Sequence, residues 1–237
     1  MLTDTPGVKS KIAKQILATY FSVRMGTGVT GAAFPFVLWF GGKFWAGLPL
    51  QDSMSAYYFA TLNGRSMRDW FVGLLFSIGI SLYLYKGFTH KEDIALNLAG
   101  VMAVCVAVFP MQWNCGSECH RFSVHGACAV ILFVCMAFVA VFCADDTLQF
   151  IDDPKIRARY KRIYVFLGIV MLASPLMAFA LISLFHERSH LVFAVEAGGI
   201  LAFAAYWLVK SKELTLSQVE ARALRGEFEI NPIPGAR

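Results

Sequence analysis

Six apolar stretches, each near the length that crosses a bilayer, run through this chain and leave few options for its fold. They fall at residues 25–42, 70–85, 94–113, 122–144, 163–185 and 190–209, the first two being short. A transmembrane helix needs about 20 predominantly apolar residues, and lipid demands that every backbone polar group be satisfied internally. The expected fold is therefore all-α: a polytopic membrane protein, a six-transmembrane-helix bundle. Only 16% of residues are charged and 57% are hydrophobic, against roughly 25% charged in an ordinary soluble domain. A soluble domain of this size could not hide so much apolar surface, whereas lipid covers it. The net charge of +5 comes from Lys and Arg at the edges of the apolar runs. No basic run with interleaved aromatics accompanies it, so nucleic acid is not an expected partner.

Residues 1–24 precede the first stretch and carry Lys9, Lys11, Lys14 and Arg24, with Ile12, Ile16, Leu17 and Tyr20 between them. This pattern predicts an N-terminal amphipathic surface helix with a basic face. Arg24 postpones the long apolar run, unlike the apolar region of a cleaved signal peptide. Three parts follow: a lead-in over 1–24, a membrane domain over 25–209, and a polar tail over 210–237. Gly26, Gly28 and Gly31 lie in the first stretch, where small residues let helices approach closely. Trp39, Trp45, Trp70, Trp113 and Trp207 fall near predicted span ends, the place of an aromatic belt.

Charge sets the orientation. With six spans, the termini and the loops at 86–93 and 145–162 share one side. That side holds 15 of the 21 Lys and Arg residues; the other holds five, and Arg24 sits at the boundary. The positive-inside rule then places both termini in the cytoplasm.

The outer face collects the polar chemistry: Asp52, Ser53, Ser55 and Asp69 in the first loop, Cys115, Glu118, Cys119, His120 and His125 in the second, and His186, Glu187 and His190 in the third. Each histidine alone is explained as well by a bond to a carbonyl or a headgroup. The sharpest spacing is His186-Glu-Arg-Ser-His190, which puts two rings on one helix face, within reach of one metal ion. His125 is the best third ligand and Asp69 the group that would hold a bound water. Three-ligand zinc lowers the pKa of its water to about 7.

This arrangement resembles the intramembrane hydrolase superfamily of the alkaline ceramidases and the adiponectin-receptor-like proteins. Those proteins combine a Ser-x-x-x-His motif, an Asp and a later His-x-x-x-His motif around zinc. Here Ser55-Ala-Tyr-Tyr-Phe59 matches the first motif with Phe59 in place of its histidine, Asp69 matches the Asp, and His186 with His190 matches the last pair. The resemblance implies a zinc-dependent hydrolase of a lipid amide or ester. In it His125, His186 and His190 hold the metal, Asp69 is the base and Ser55 supports the oxyanion. The Ser-Ala-Tyr-Tyr, Met-Arg-Asp and Tyr-Lys-Gly stretches also resemble uncharacterised bacterial multi-span proteins, which implies a bacterial inner membrane.

Cys115-Gly-Ser-Glu-Cys119-His120 is one residue longer than the Cys-x-x-Cys-His site of c-type haem. Haem attachment, with His120 as axial ligand, and a Cys115–Cys119 disulfide on an oxidising face are both open readings. Cys105, Cys128, Cys135 and Cys143 lie inside spans and read as small packing residues. Within the bundle, Asn97 reads as interhelical glue and Glu196 as a protonated structural carboxyl, or as a partner of Arg24 or Arg68. Three function classes follow: a zinc-dependent membrane hydrolase, a non-enzymatic accessory or lipid-binding subunit of a larger membrane complex, and a haem-bearing electron carrier.

Overall fold

The computed structural model describes residues 6–112, 123–185 and 190–225. It is mostly helical. Six long helices carry the fold: α1 (Pro6–Phe40), α2 (Arg68–Leu84), α3 (His90–Val108), α4 (Val124–Phe142), α6 (Pro154–Phe185) and α7 (His190–Ser217). Two short ones, α5 (Asp145–Leu148) and α8 (Val219–Leu224), sit near the end where α7 finishes. Each long helix packs on two others, closing a ring in the order α1, α2, α3, α4, α6, α7 and back to α1. Three segments are long and apolar enough to cross a membrane: Val124–Leu148, Pro154–Ile182 and His190–Ser217. The outside of the ring is apolar too, with Phe44, Leu84, Phe142 and Phe166 all more than 60% exposed. Water does not tolerate such a belt, and lipid does.

The ring closes where side chains are smallest. A Cβ on Gly79 of α2 would stand 2.8 Å from the Gly100 carbonyl oxygen of α3, and one on Gly100 would stand 2.6 Å from the Gly79 oxygen. Only glycine permits that approach of two backbones. Gly28 and Gly31 of α1 lie on Trp207, Leu208 and Phe203 of α7, as their spacing predicts, whereas Gly26 faces open space. Trp207 departs from expectation. It is 1% exposed and packs edge-on against Tyr85 and Tyr206, so it belongs to the core and not to a belt. Trp39, Trp45 and Trp70 are exposed.

No break separates residues 6–24 from the first apolar stretch, because both lie in α1. Arg24, expected at an edge, is buried within that helix and paired with Glu220 of α8. The far end of α7 likewise runs past residue 210, and Lys210, Ser211, Glu213, Leu214 and Ser217 are buried there. Those residues were expected in a polar tail.

Between α1 and α2 the chain folds into a small cap. A π-helical turn at Gly41–Ala46 ends at Gly47, whose φ of 72° lets its amide reach the Gly42 carbonyl. A 3₁₀ turn follows at Ser55–Tyr58. Strands β1 (Thr61–Leu62) and β2 (Arg65–Ser66) then pair antiparallel around Asn63-Gly64. Both turn residues have positive φ, 51° and 73°, the backbone of a type I′ hairpin that Asn-Gly favours. The hairpin returns the chain to α2, and this cap carries the polar site.

Candidate functional site

Four consecutive residues of the cap, 52–55, are held by polar bonds from two sides of the ring. From one side comes α7. The Asp52 carbonyl accepts the Phe193 amide at 2.9 Å, which serves one of the first-turn amides that a helix cannot satisfy within itself. Glu196, one turn further on, reaches back and accepts the Met54 amide at 2.6 Å. The loop thus gives an acceptor to the helix and receives an acceptor from it. His190 adds a looser contact, with Nδ1 3.5 Å from an Asp52 carboxylate oxygen, both partners being well exposed.

From the other side comes His125, the second residue of α4 and 7% exposed. Its Nε2 lies 2.8 Å from Ser55 Oγ. Its Nδ1 lies 2.9 Å from the Phe109 carbonyl oxygen and 3.1 Å from that of Val106. These carbonyls are available for a reason legible in the chain. Val106 would accept from residue 110, four positions on, but that residue is Pro110 and has no N–H. Phe109 lies past the end of α3. Carbonyls only accept, so Nδ1 carries the ring proton and Nε2 presents a lone pair to the Ser55 hydroxyl. Ser55 is half-buried. Ser53 lies beneath it, its Oγ accepting the Ala56 amide at 3.1 Å and directed at the Met111 sulfur. Burial pushes the neighbouring Tyr57 hydroxyl above its usual range, so it stays protonated at neutral pH.

A hydroxyl donating to an imidazole whose other nitrogen is fixed by acceptors is the arrangement of an activated serine nucleophile.

The chain matches no family model, no curated protein and no solved structure. The geometry therefore has to carry the reading by itself.

The expected site residues fare differently. Ser55 and His125 come together. His190 reaches the same loop through Asp52. Asp69 is exposed in the first turn of α2, where a carboxylate suits the helix dipole, and it makes no bond to Ser55 or His125 among the described residues. His186, Cys115, Cys119 and His120 lie outside the described residues. Among the described residues no three His, Cys, Asp or Glu side chains converge as a metal site would require. Phe59, at the position of the missing motif histidine, is 37% exposed with its ring 5.0 Å from that of Tyr58. Ser55 therefore has its imidazole from α4 and not from its own turn.

Of the two readings of Glu196, a structural carboxyl or a partner of Arg24 or Arg68, the structure shows neither arginine on it. Its expected partners are engaged elsewhere, Arg24 with Glu220 and Arg68 with its guanidinium 4.8 Å from the Tyr58 ring centre. A backbone amide, that of Met54, holds it instead, and amides leave no mark in a sequence.

Proposed function

We propose that this chain is an integral membrane protein of six spans, with both termini on the cytoplasmic side of a bacterial inner membrane. At its outer end it hydrolyses a lipid ester or amide through Ser55 and His125. The observation that carries this reading is the 2.8 Å contact between Ser55 Oγ and His125 Nε2, with Nδ1 held by two carbonyls. In the reaction, Oγ attacks the acyl carbon while its proton passes to Nε2. The resulting imidazolium is steadied by the Val106 and Phe109 carbonyls, which face its other N–H. His125 then returns the proton to the leaving alcohol or amine. Water, deprotonated by the same nitrogen, releases the acid and restores Ser55.

The surroundings favour a lipid substrate. An open groove of about 380 Å³, lined by Phe36, Val37, Phe40, Trp45 and Trp70, lies at the adjoining end of α1. Gly42, in the turn that closes it, packs on the ring of Tyr57 two residues from the serine. A zinc-dependent form of the same hydrolysis, on His125, His186 and His190, requires His125 to release either Ser55 or the carbonyls. Metal content of the purified chain distinguishes the two forms. Haem on Cys115 and Cys119 predicts a Soret band that survives denaturation.

The test is covalent. A fluorophosphonate probe added to the detergent-solubilised chain is expected to modify Ser55, identified by peptide mass spectrometry. Ser55→Ala and His125→Gln are expected to abolish the adduct while the helical signal is kept. Absence of labelling in a folded wild-type chain sinks the hydrolase reading.

One observation favours a second reading, a non-enzymatic accessory or lipid-binding subunit. The Met54 amide is bonded to Glu196 and that of Ala56 to Ser53. Neither of these two is left to meet an oxyanion. On this reading the polar bonds only pin the cap, and the chain copurifies with larger partners and takes no probe.

A further inference from the structure

The opposite end of the ring holds a second polar assembly, built from residues that the Ser55 chemistry does not use. A cavity of about 170 Å³ lies there between α1, the loop joining α2 to α3, α7 and α8. Its walls include Leu17, Tyr20, Tyr85 and Leu214, and four charged side chains line it, Lys86, Glu92, Lys210 and Glu220. Glu92 and Lys210 are each only 2% exposed. Buried charges at this density call for partners.

Most of them have one. Lys210 Nζ stands 2.9 Å from Glu213 Oε2 and also donates to Thr147 Oγ1. The same Glu213 oxygen accepts the Tyr164 hydroxyl at 3.0 Å. Arg24 is paired with Glu220. At the rim, Lys86 faces Asp93 and Lys91 faces Asp146, each at 3.5 Å. Every cation facing the cavity is thus matched by a carboxylate already bonded to it. Glu92 is outside all of these pairs. One of its oxygens accepts the Phe88 amide at 2.7 Å, and among the described residues it forms no ion pair. The cavity therefore carries one buried carboxyl that belongs to no ion pair, beside two tyrosine rings; burial pushes this carboxyl above its usual range and the Lys210 charge pulls it back.

We propose that this cavity binds a small organic ammonium ion, its charged end on Glu92 and its alkyl part against Leu17 and Leu214. A cavity of about 150 Å³ holds a benzene-sized molecule, so the ligand has roughly six heavy atoms. Aromatic rings near an ammonium add to its attraction. Two sources carry this chemistry at a membrane edge, a free primary amine and the ethanolamine headgroup of a lipid.

Calorimetric titration of the full-length chain in phosphatidylglycerol nanodiscs with n-butylammonium chloride tests the site. Saturable binding is expected, with no heat from n-butanol, which has the same alkyl part and no charge. Glu92→Gln is expected to weaken binding at least tenfold. Leu17→Trp, which fills the cavity and leaves Glu92 in place, is expected to abolish it while the helical signal and the melting temperature are kept. Equal binding of n-butanol, no binding of n-butylammonium to the wild-type chain, or unchanged affinity in Glu92→Gln overturns the proposal. Repeating the titration in phosphatidylethanolamine nanodiscs separates the sources: loss of n-butylammonium binding there identifies the headgroup, and retained binding identifies a free amine.

Discussion

Pro110 helps set the hydrogen bonding of His125 through an N–H that it lacks. Its missing N–H leaves the Val106 carbonyl open, and that carbonyl helps fix which imidazole nitrogen faces Ser55. Glu196 has the corresponding role for the loop, since it takes the Met54 amide. Glu196→Ala leaves that amide without its acceptor and is expected to cost about 1–3 kcal/mol, read as a lower melting temperature in detergent. Glu196→Gln keeps one acceptor oxygen and is expected to cost less than the alanine. If the alanine variant melts with the wild type, the carboxylate does not hold the cap. At this scale the sequence was half legible. Ser55 and His125 stood out as polar residues on one face, but their pairing needed the third dimension. Two carbonyls and a backbone amide complete the site, and they have no letter of their own.

The helices were legible in kind and less so in extent. Apolar runs predicted α4, the end of α6 and the start of α7 closely, because a run of such residues has little alternative in lipid, while α6 starts at Pro154, nine residues before its run. The polar residues beyond 209 predicted the end of the last span, yet α7 continues to Ser217. Lys210 and Glu213 stand three apart on that helix and neutralise each other at 2.9 Å, so charge there marks an internal pair and not a boundary. The α2–α3 seam gives the test at this scale. Gly79→Ala places a methyl 2.8 Å from a backbone oxygen, and backbone cannot move aside as a side chain can. A loss of about 1–3 kcal/mol is expected. Gly73→Ala on the same helix meets nothing within 4 Å and is expected to be neutral, or to gain up to about 1 kcal/mol from helix propensity. Equal melting temperatures for the two variants contradict so close a seam.

At the scale of the whole molecule, the ring separates two polar ends, with Ser55 and His125 at one and Glu92 and Lys210 at the other. The excess of basic residues leads to the expectation that the Glu92 end faces the cytoplasm, and labelling checks it. In a background without native cysteines, Asp69→Cys is expected to react with an impermeant maleimide in intact cells. Asp152→Cys is expected to react only after permeabilisation. Both positions are exposed, and the reverse pattern inverts the orientation. The sequence by itself determined the helical class, the apolar segments and the gathering of serine and histidine on one side. These follow from hydropathy and charge, which are summed along the chain and need no knowledge of neighbours. Only the tertiary structure decided that His125, and no residue of the Ser55 turn, supplies the imidazole, and that Glu92 stays outside every ion pair among the described residues. Both depend on which helices adjoin in the ring, and contacts between residues 70 or more positions apart are set by packing and not by local pattern.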